Sequence, residues 1–236
     1  MNSHEADALG KRMAQCLASG NVTGAYAVLE PVLAQRKPFR MLDRIAAAAG
    51  AGQWSHTSSL LDLIAADQSE GGWVVIGGLL RQQYPRRPSS VFSECRRFIV
   101  AADKWYGADI LGERVPGPAL VEDFDQAVDL LAPWRSDPNR WVRRSVGVAV
   151  HLWTKRARGE PALAEQAQNL LAFLEPMFGE WEMDAAKGVG WGLKTLGRYY
   201  PAQLTDWLVT QSGRRHRRLM LRKAQTYLPQ EERDRV

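Results

Sequence analysis

Trp105 and Asp109 stand out in this chain because their types and spacing could support chemistry. They lie four residues apart in WYGAD, so on a helix they share one face, opposite Gly107 and Leu111. A carboxylate on such a face can stabilise positive charge that develops on a substrate and can position a water molecule. A neighbouring indole can hold a cation against its ring. Two structural alternatives stay open: Asp109 only pairs with an arginine, or the tryptophan only packs.

Two further segments with helical periodicity carry basic stripes that contain a tryptophan. In segment 139–156, the polar side of the helical wheel holds Arg140, Trp141, Arg144, His151 and Lys155. In segment 183–200, the polar side holds Asp184, Lys187, Trp191, Lys194 and Arg198. The opposite sides are apolar. These two stripes predict a surface on which cations alternate with indoles, whereas the structural alternative is a solvated face with partly buried tryptophans.

The C-terminal part contains a basic block. The stretch SGRRHRRLMLRK, residues 212–223, holds six Arg and Lys residues and no acid. We predict a helix over 214–228 whose exposed stripe consists of Arg214, Arg215, Arg218 and Arg222. Such a block suits a polyanion, most often nucleic acid. A solvated terminal helix is the alternative.

Composition narrows the class of protein. The chain has 236 residues, of which 45% are hydrophobic and 24% charged, and a net charge of +5, as in a globular protein. It has no apolar run long enough for a membrane span and no secretory-type start, so we expect a bacterial cytoplasmic protein that works at the nucleoid. The two cysteines form no CxxC pair and the four histidines have no ligand-like spacing, so neither a metal nor a cofactor is predicted.

Helical periodicity dominates the chain and strand signals are weak. Tryptophans near the starts of predicted helices recur at Trp73, Trp105, Trp141 and Trp181, a period typical of stacked helix pairs. We therefore predict an all-α fold, an α-solenoid of HEAT-like helical repeats with a concave basic groove. It forms a single domain over 1–236, in which residues 1–70 are divergent N-terminal helices and 71–228 carry the groove motifs. The predicted helices span 5–18, 22–35, 40–50, 56–67, 72–84, 88–102, 105–114, 119–133, 139–156, 160–178, 183–200, 202–211 and 214–228.

Three motifs resemble those of a known family. WYGAD, SDPNRWVRRS (136–145) and KGVGWGLKTLGRYYP (187–201) look like the motifs of the AlkD-type DNA alkylation-repair glycosylases, a resemblance that covers roughly 70–228. It implies a HEAT-like solenoid that holds duplex DNA in a basic groove. By this resemblance Asp109 is the catalytic aspartate, Trp105 and Trp191 are the groove tryptophans, and Arg144 lies beside the lesion. Arg143 is off the groove axis on the helical wheel and is not given that role.

The resemblance also implies a reaction, the hydrolysis of the glycosidic bond of cationic N3- and N7-alkylpurines. The charged base is already a good leaving group, so a single carboxylate is sufficient to stabilise the sugar cation and to position water. We expect monofunctional base release by a monomer that has no obligate protein partner and acts on duplex DNA with alkylated bases. The expected DNA-binding residues are Arg140, Trp141, Arg144, Lys187, Lys194 and the four arginines of the C-terminal block, of which the cations contact phosphates.

Two other functions stay open. A non-catalytic HEAT-repeat protein that recognises damaged or branched DNA would share the basic surface, and a protein–protein scaffold would share the solenoid. Asp109 discriminates among them, because a carboxylate in a phosphate-binding groove repels the ligand and gives a pure DNA binder no advantage.

Overall fold

The computed structural model describes residues 1–236 and contains helices and no strand, so the all-α prediction is confirmed. The α-helices of residues 1–115 are α1 Ser3–Ala18, α2 Val22–Leu33, α3 Phe39–Ala49, α4 Trp54–Ala66, α5 Glu70–Gln83, α6 Pro88–Ala102 and α7 Trp105–Arg114. Those of residues 116–236 are α8 Pro116–Glu122, α9 Phe124–Leu131, α10 Arg140–Ala157, α11 Ala164–Leu174, α12 Met183–Tyr199, α13 Pro201–Thr210, α14 Arg218–Ala224 and α15 Gln230–Arg233. Short 3-10 turns lie at Tyr84–Arg86, Ala132–Ser136, Pro161–Leu163, Glu175–Met177 and Gln225–Tyr227.

The chain forms two compact units, Met1–Val115 and Pro116–Val236. In the first unit, α1, α3, α5 and α7 pack one after another, and α2, α4 and α6 form a second row. In the second unit, α8, α10, α12 and α14 form one row, while α9, α11, α13 and α15 lie on the other side. This sequential two-layer packing confirms the α-solenoid class within each unit. The single-domain organisation stays a prediction.

The helices of the second unit follow from the amphipathic pattern of the sequence. The side chains opposite the basic stripe of α10 are all buried, as predicted: Val142, Val146, Ala149, Val150 and Trp153. The Asn139 side chain caps α10 by accepting from the backbone N–H groups of Trp141 and Val142. Glu182 caps α12 in the same way. Burial of the apolar stripes and these caps fix where the two longest helices of this unit begin and which side they bury.

Two predicted helices are wrong in their extent. The helix predicted over 119–133 is two helices, because Asp123 takes an extended conformation (φ −149°, ψ 82°) between α8 and α9. The helix predicted over 160–178 is shortened to α11 by 3-10 turns that contain Pro161 and Pro176. Proline lacks the N–H that would continue the backbone ladder, so these turns stay separate from the α-helix.

The predicted C-terminal helix over 214–228 is also wrong, because only Arg218–Ala224 is α-helical. After α13 ends at Thr210, Gly213 turns the chain with a positive φ of 82°, and the chain continues as a loop to Arg217. Hydrogen bonds from side chains of the loop stabilise its conformation: His216 Nδ1 lies 2.8 Å from the Arg214 carbonyl, and Arg217 donates to the Trp181 carbonyl. Arg214 and Arg215 therefore precede the helix and are not part of its stripe.

No helix combines the length and the apolar character that crossing a membrane requires.

Candidate nucleic-acid interface

Helix α7 of the first unit presents the Trp105–Asp109 pair as the sequence predicted. Asp103 adopts the left-handed conformation (φ 43°) that ends α6, and α7 begins two residues later. Trp105 is 58% exposed and meets Tyr106 edge to face at 5.8 Å, while Asp109 is half-buried. Gly107 and Leu111 are buried on the other side. The helix thus carries a largely exposed indole and a partly accessible carboxylate on one face.

In the second unit, glycines bring α12 unusually close to both of its neighbours in the row. A Cβ on Gly147 of α10 would overlap the backbone of Gly188, and one on Gly192 would lie 2.8 Å from the Gly147 carbonyl oxygen. On the other side, a Cβ on Gly190 would lie 2.9 Å from the Cβ of Lys223 in α14. Because glycines occupy both flanks of α12, its polar side chains project from the remaining face, close to those of α10 and α14.

Trp191 is half-buried on that face and stacks on His151 of α10, with ring centroids 4.1 Å apart and an interplanar angle of 26°. His151 Nδ1 lies 2.7 Å from Thr195 Oγ1, and the Thr195 hydroxyl donates to the Trp191 carbonyl. Nδ1 therefore carries the proton and donates to Thr195. Burial, with Lys155 and Lys194 nearby, lowers the pKa of His151 to about 4. A neutral imidazole thus supports the indole at neutral pH.

Four cations from α10, α12 and α14 lie within electrostatic range of Lys223, and with it they form a cluster of five. Burial, followed by the charges of the surrounding cations, lowers the pKa of Lys223 below its usual value. The surrounding cations are Lys194, Arg144, Arg222 and Lys187. Such crowding of like charge is relieved by an anion, so the cluster suits phosphate groups. Lys223 was not among the predicted contacts, because the helical wheel of α14 alone does not show that the lysine packs against Gly190.

The three arginines at the start of α10 differ in their contacts. Arg140 is exposed, lies 3.8 Å from the carboxylate of Asp184 and covers the Trp141 ring at 4.7 Å. Arg144 is buried, and its Nη1 donates to the Asp184 carbonyl at 3.1 Å. Arg143 points elsewhere and binds the Glu180 carboxylate at 2.6 Å, a structural contact away from the cation cluster.

Three positions expected to be exposed on the stripe of α10 are buried, and those expectations are wrong. Trp141 is 6% exposed, and Arg144 and His151 are each 8% exposed. Periodicity places all three on the polar side, but each one meets a neighbouring group. The guanidinium of Arg140 lies over Trp141, Arg144 donates to the Asp184 carbonyl, and the indole of Trp191 stacks on His151. Two further predicted DNA-binding residues lie on α12: Lys187 is exposed and Lys194 is half-buried.

The four predicted C-terminal arginines also differ in their contacts. Arg218 and Arg222 are exposed on α14, in agreement with the predicted stripe. Arg214 instead binds the Glu175 carboxylate at 3.2 Å, so much of its charge is neutralised. Arg215 lies over the ring of Trp181 at 4.7 Å. The expected row of four equivalent arginines is therefore reduced to two on the helix.

Charge is segregated between the two layers of the second unit. Helices α10, α12 and α14, which we call the basic layer, carry all of the cluster cations. Helices α9, α11 and α13 on the opposite side contain acidic residues and no lysine or arginine: Asp125, Asp129, Glu165 and Asp206. A polyanion is therefore attracted to one side of this unit and repelled from the other.

A family model described as DNA alkylation repair enzyme matches residues 40–228, about four fifths of the chain. The chain belongs to this family. Searches of curated proteins and of solved structures gave no match. The family assignment supports an enzyme role in the repair of alkylation damage, with DNA as the binding partner. In this alkylation-repair family member, the matched segment begins at α3, earlier than the motifs of the resemblance, and ends at Leu228, before α15.

Proposed function

We propose that the chain is a DNA glycosylase that releases cationic N3- and N7-alkylated purines from duplex DNA by hydrolysing the N-glycosidic bond. The observation that carries the proposal is the exposed Trp105 with the partly accessible Asp109 on one face of α7, in a member of the DNA alkylation repair enzyme family. A carboxylate on the same helix face as an exposed indole does not help to bind phosphates, so this pair favours a chemical role.

The alkylated base needs little help to leave. Its ring carries a positive charge, so the C1′–N bond breaks with the electron pair going to the purine, which departs neutral. Positive charge then builds on the deoxyribose, where the carboxylate of Asp109 stabilises the oxocarbenium-like transition state. Water adds to C1′ and gives up a proton to that carboxylate, which passes it to solvent. Water is the only co-reactant, so the proposal includes neither cofactor nor metal.

The tryptophans contribute through their ring faces. A cation against an indole gains about 0.5–2 kcal/mol, and the gain is greater when the pair is desolvated. We assign Trp105 and Trp191 to contacts with the sugar and the charged base. Trp191 is suited to this because His151 fixes its ring from behind, so little conformational entropy is lost when a ligand binds.

Phosphate contacts are assigned to the basic layer. Lys187, Lys194, Arg140 and Arg144 are retained from the sequence prediction, together with Arg218 and Arg222 of α14, and Lys223 is added. Trp141, Arg214 and Arg215 are assigned supporting roles instead, because Trp141 lies beneath Arg140, Arg214 pairs with Glu175 and Arg215 rests on Trp181. These cations fix register without reading sequence, so we expect weak sequence preference and steep salt dependence.

The test is base release from a duplex that carries one N7-methylguanine, under single-turnover conditions. We expect wild type to release the base and to leave the strand intact until alkali cleaves it. Asp109→Asn should slow release by about a hundredfold or more while duplex affinity stays equal or increases. Asp125→Asn is the matched control, since it removes an exposed carboxylate from α9.

An Asp109→Asn variant that keeps the wild-type rate would show that the carboxylate has no catalytic role. Wild type that binds duplex in a salt-sensitive way but releases no base would favour the non-catalytic DNA-binding alternative. Strand cleavage without alkali would contradict monofunctional base release.

A further inference from the structure

A second basic site lies at the C-terminal end of the chain, apart from the five-cation cluster except for Arg222, which the two share. The loop before α14, the outer side of α14, the following turn and α15 enclose a pocket of about 420 Å³. Its lining residues are His216, Arg218, Leu221, Arg222, Gln225, Thr226 and Arg233. Four of these seven side chains are basic and the lining contains no carboxylate.

The three arginines of this pocket differ from their neighbours in having no carboxylate within ion-pair distance. Arg214 binds Glu175, and Arg235 binds both Asp206 and Glu232 at 2.6 and 2.8 Å. Of the acids in the C-terminal tail, Glu232 is thus paired with Arg235, and Asp234 accepts a hydrogen bond from Gln230. Arg218, Arg222 and Arg233 keep their full charge beside one another, and an anion is the ligand that offsets it.

His216 is held in a defined orientation at the edge of the pocket. Its Nδ1 lies 2.8 Å from the Arg214 carbonyl, and since a carbonyl only accepts, Nδ1 is the donor. Its ring packs against Phe178 with centroids 5.0 Å apart. Nε2 is therefore the ring nitrogen left for a ligand. Gln225 adds a neutral amide donor to the same pocket.

We propose that this pocket binds a phosphodiester group of the duplex backbone, as a phosphate site additional to the cation cluster of α10, α12 and α14. Several guanidinium groups converging without an acid are the arrangement that recognises phosphate oxygens. The inference rests on the proposed DNA substrate, but not on the chemistry of Asp109. Arg233 lies beyond the segment that matches the family, so the site is partly built by a segment that the family match does not cover.

The experiment compares Arg233→Gln with Arg235→Gln in the full-length protein. Both residues are exposed, lie two positions apart and lose the same charge, but only Arg233 lines the pocket. Duplex affinity is measured as a function of salt concentration. We expect Arg233→Gln to lower the slope of log K against log salt by about 1 and Arg235→Gln to leave it unchanged. An unchanged slope in Arg233→Gln, or an equal fall in both variants, would overturn the proposal.

Two further measurements separate the possible sources of the phosphate and the two proposals. Calorimetric titration with inorganic phosphate tests whether the pocket binds the free ion. If Arg233→Gln abolishes phosphate binding but leaves the salt slope of duplex binding unchanged, the pocket is a free-anion site and the backbone assignment is overturned. Base release by wild type is measured on the same duplex that is used for the salt titrations. Wild type that releases no base, with the predicted difference in slopes intact, contradicts the glycosylase proposal and supports the pocket.

Discussion

At the scale of single residues, the surroundings of a side chain decide its role more than its type does. His151 lies on the polar side of α10 by periodicity, yet its Nδ1–H donates a hydrogen bond to Thr195 and Trp191 covers its ring. A histidine in this setting is a neutral support for an indole rather than a phosphate contact. Neither partner could be identified from the sequence of α10, because both belong to the next helix of the row.

The lowered pKa of His151 predicts a pH dependence of stability. The imidazole is neutral in the folded chain down to a pKa of about 4, whereas in the unfolded chain it gains a proton near 6.5. Between these values the unfolded state binds more protons, so stability falls as pH decreases through this window. Denaturant unfolding from pH 7.5 to 4.5 should show wild type losing about 2 kcal/mol relative to His151→Phe, after allowance for partial exposure. Parallel pH profiles would contradict a buried neutral imidazole.

At the scale of helices, the sequence predicted which faces are polar but not all of the breaks. The polar faces predicted for α7 and α12 and the apolar side predicted for α10 are confirmed, because the periodic placement of apolar and polar residues is visible in the sequence itself. The division at Asp123 and the continuation of the loop over 214–217 are not predicted. Both depend on local backbone conformation, which a hydrophobic pattern does not report.

The spacing of the residues predicted which side chains lie on polar helix faces, but it did not predict how exposed each side chain is. Trp105 and Trp141 both stand near helix starts on predicted polar faces, and one indole is exposed while the other is buried. Arg140 lies over the ring of Trp141, whereas Trp105 meets only the edge of Tyr106 among the aromatic rings. Lys223 was missed for a similar reason, because its position beside the other cations depends on how closely α14 approaches Gly190.

The glycine contact between α10 and α12 predicts a marked effect of one methyl group. In Gly147→Ala the new Cβ would overlap the backbone of Gly188, which cannot move aside as a flexible side chain would. Overpacking lowers the free energy of unfolding by about 1–3 kcal/mol, and the better helix propensity of alanine offsets about 1 kcal/mol or less of this loss. We expect a net loss of about 1–2 kcal/mol in the free energy of unfolding, measured by denaturant titration.

Gly179→Ala is the control for that substitution. Its nearest neighbour would lie 3.4 Å from the new Cβ, an ordinary van der Waals contact, and its backbone φ is not positive. Its stability should stay within about 0.5 kcal/mol of wild type. Equal effects of the two substitutions would indicate that α10 and α12 are farther apart than the structure shows.

At the scale of the whole molecule, the location of charge matters more than its sum. The net charge of +5 is modest, and many arginines are already paired with acids. The cations of the basic layer are instead crowded together, whereas α9, α11 and α13 carry only acidic charges. Long-range attraction of DNA should therefore depend on a few positions rather than on the total charge of the chain.

This difference can be measured with two double variants that remove the same charge. Lys194→Gln with Lys223→Gln takes two cations from the basic layer. Lys11→Gln with Arg36→Gln takes two from the N-terminal segment, one from α1 and one from the loop after α2, outside the family match. If phosphates bind at the basic layer, the first pair loses two counterion-releasing contacts, and its salt slope should fall by about 2. The second pair should bind with an unchanged slope, because its cations contact no phosphate. If the two double variants weaken binding equally, net charge alone would attract DNA, and the basic layer would not be the binding surface.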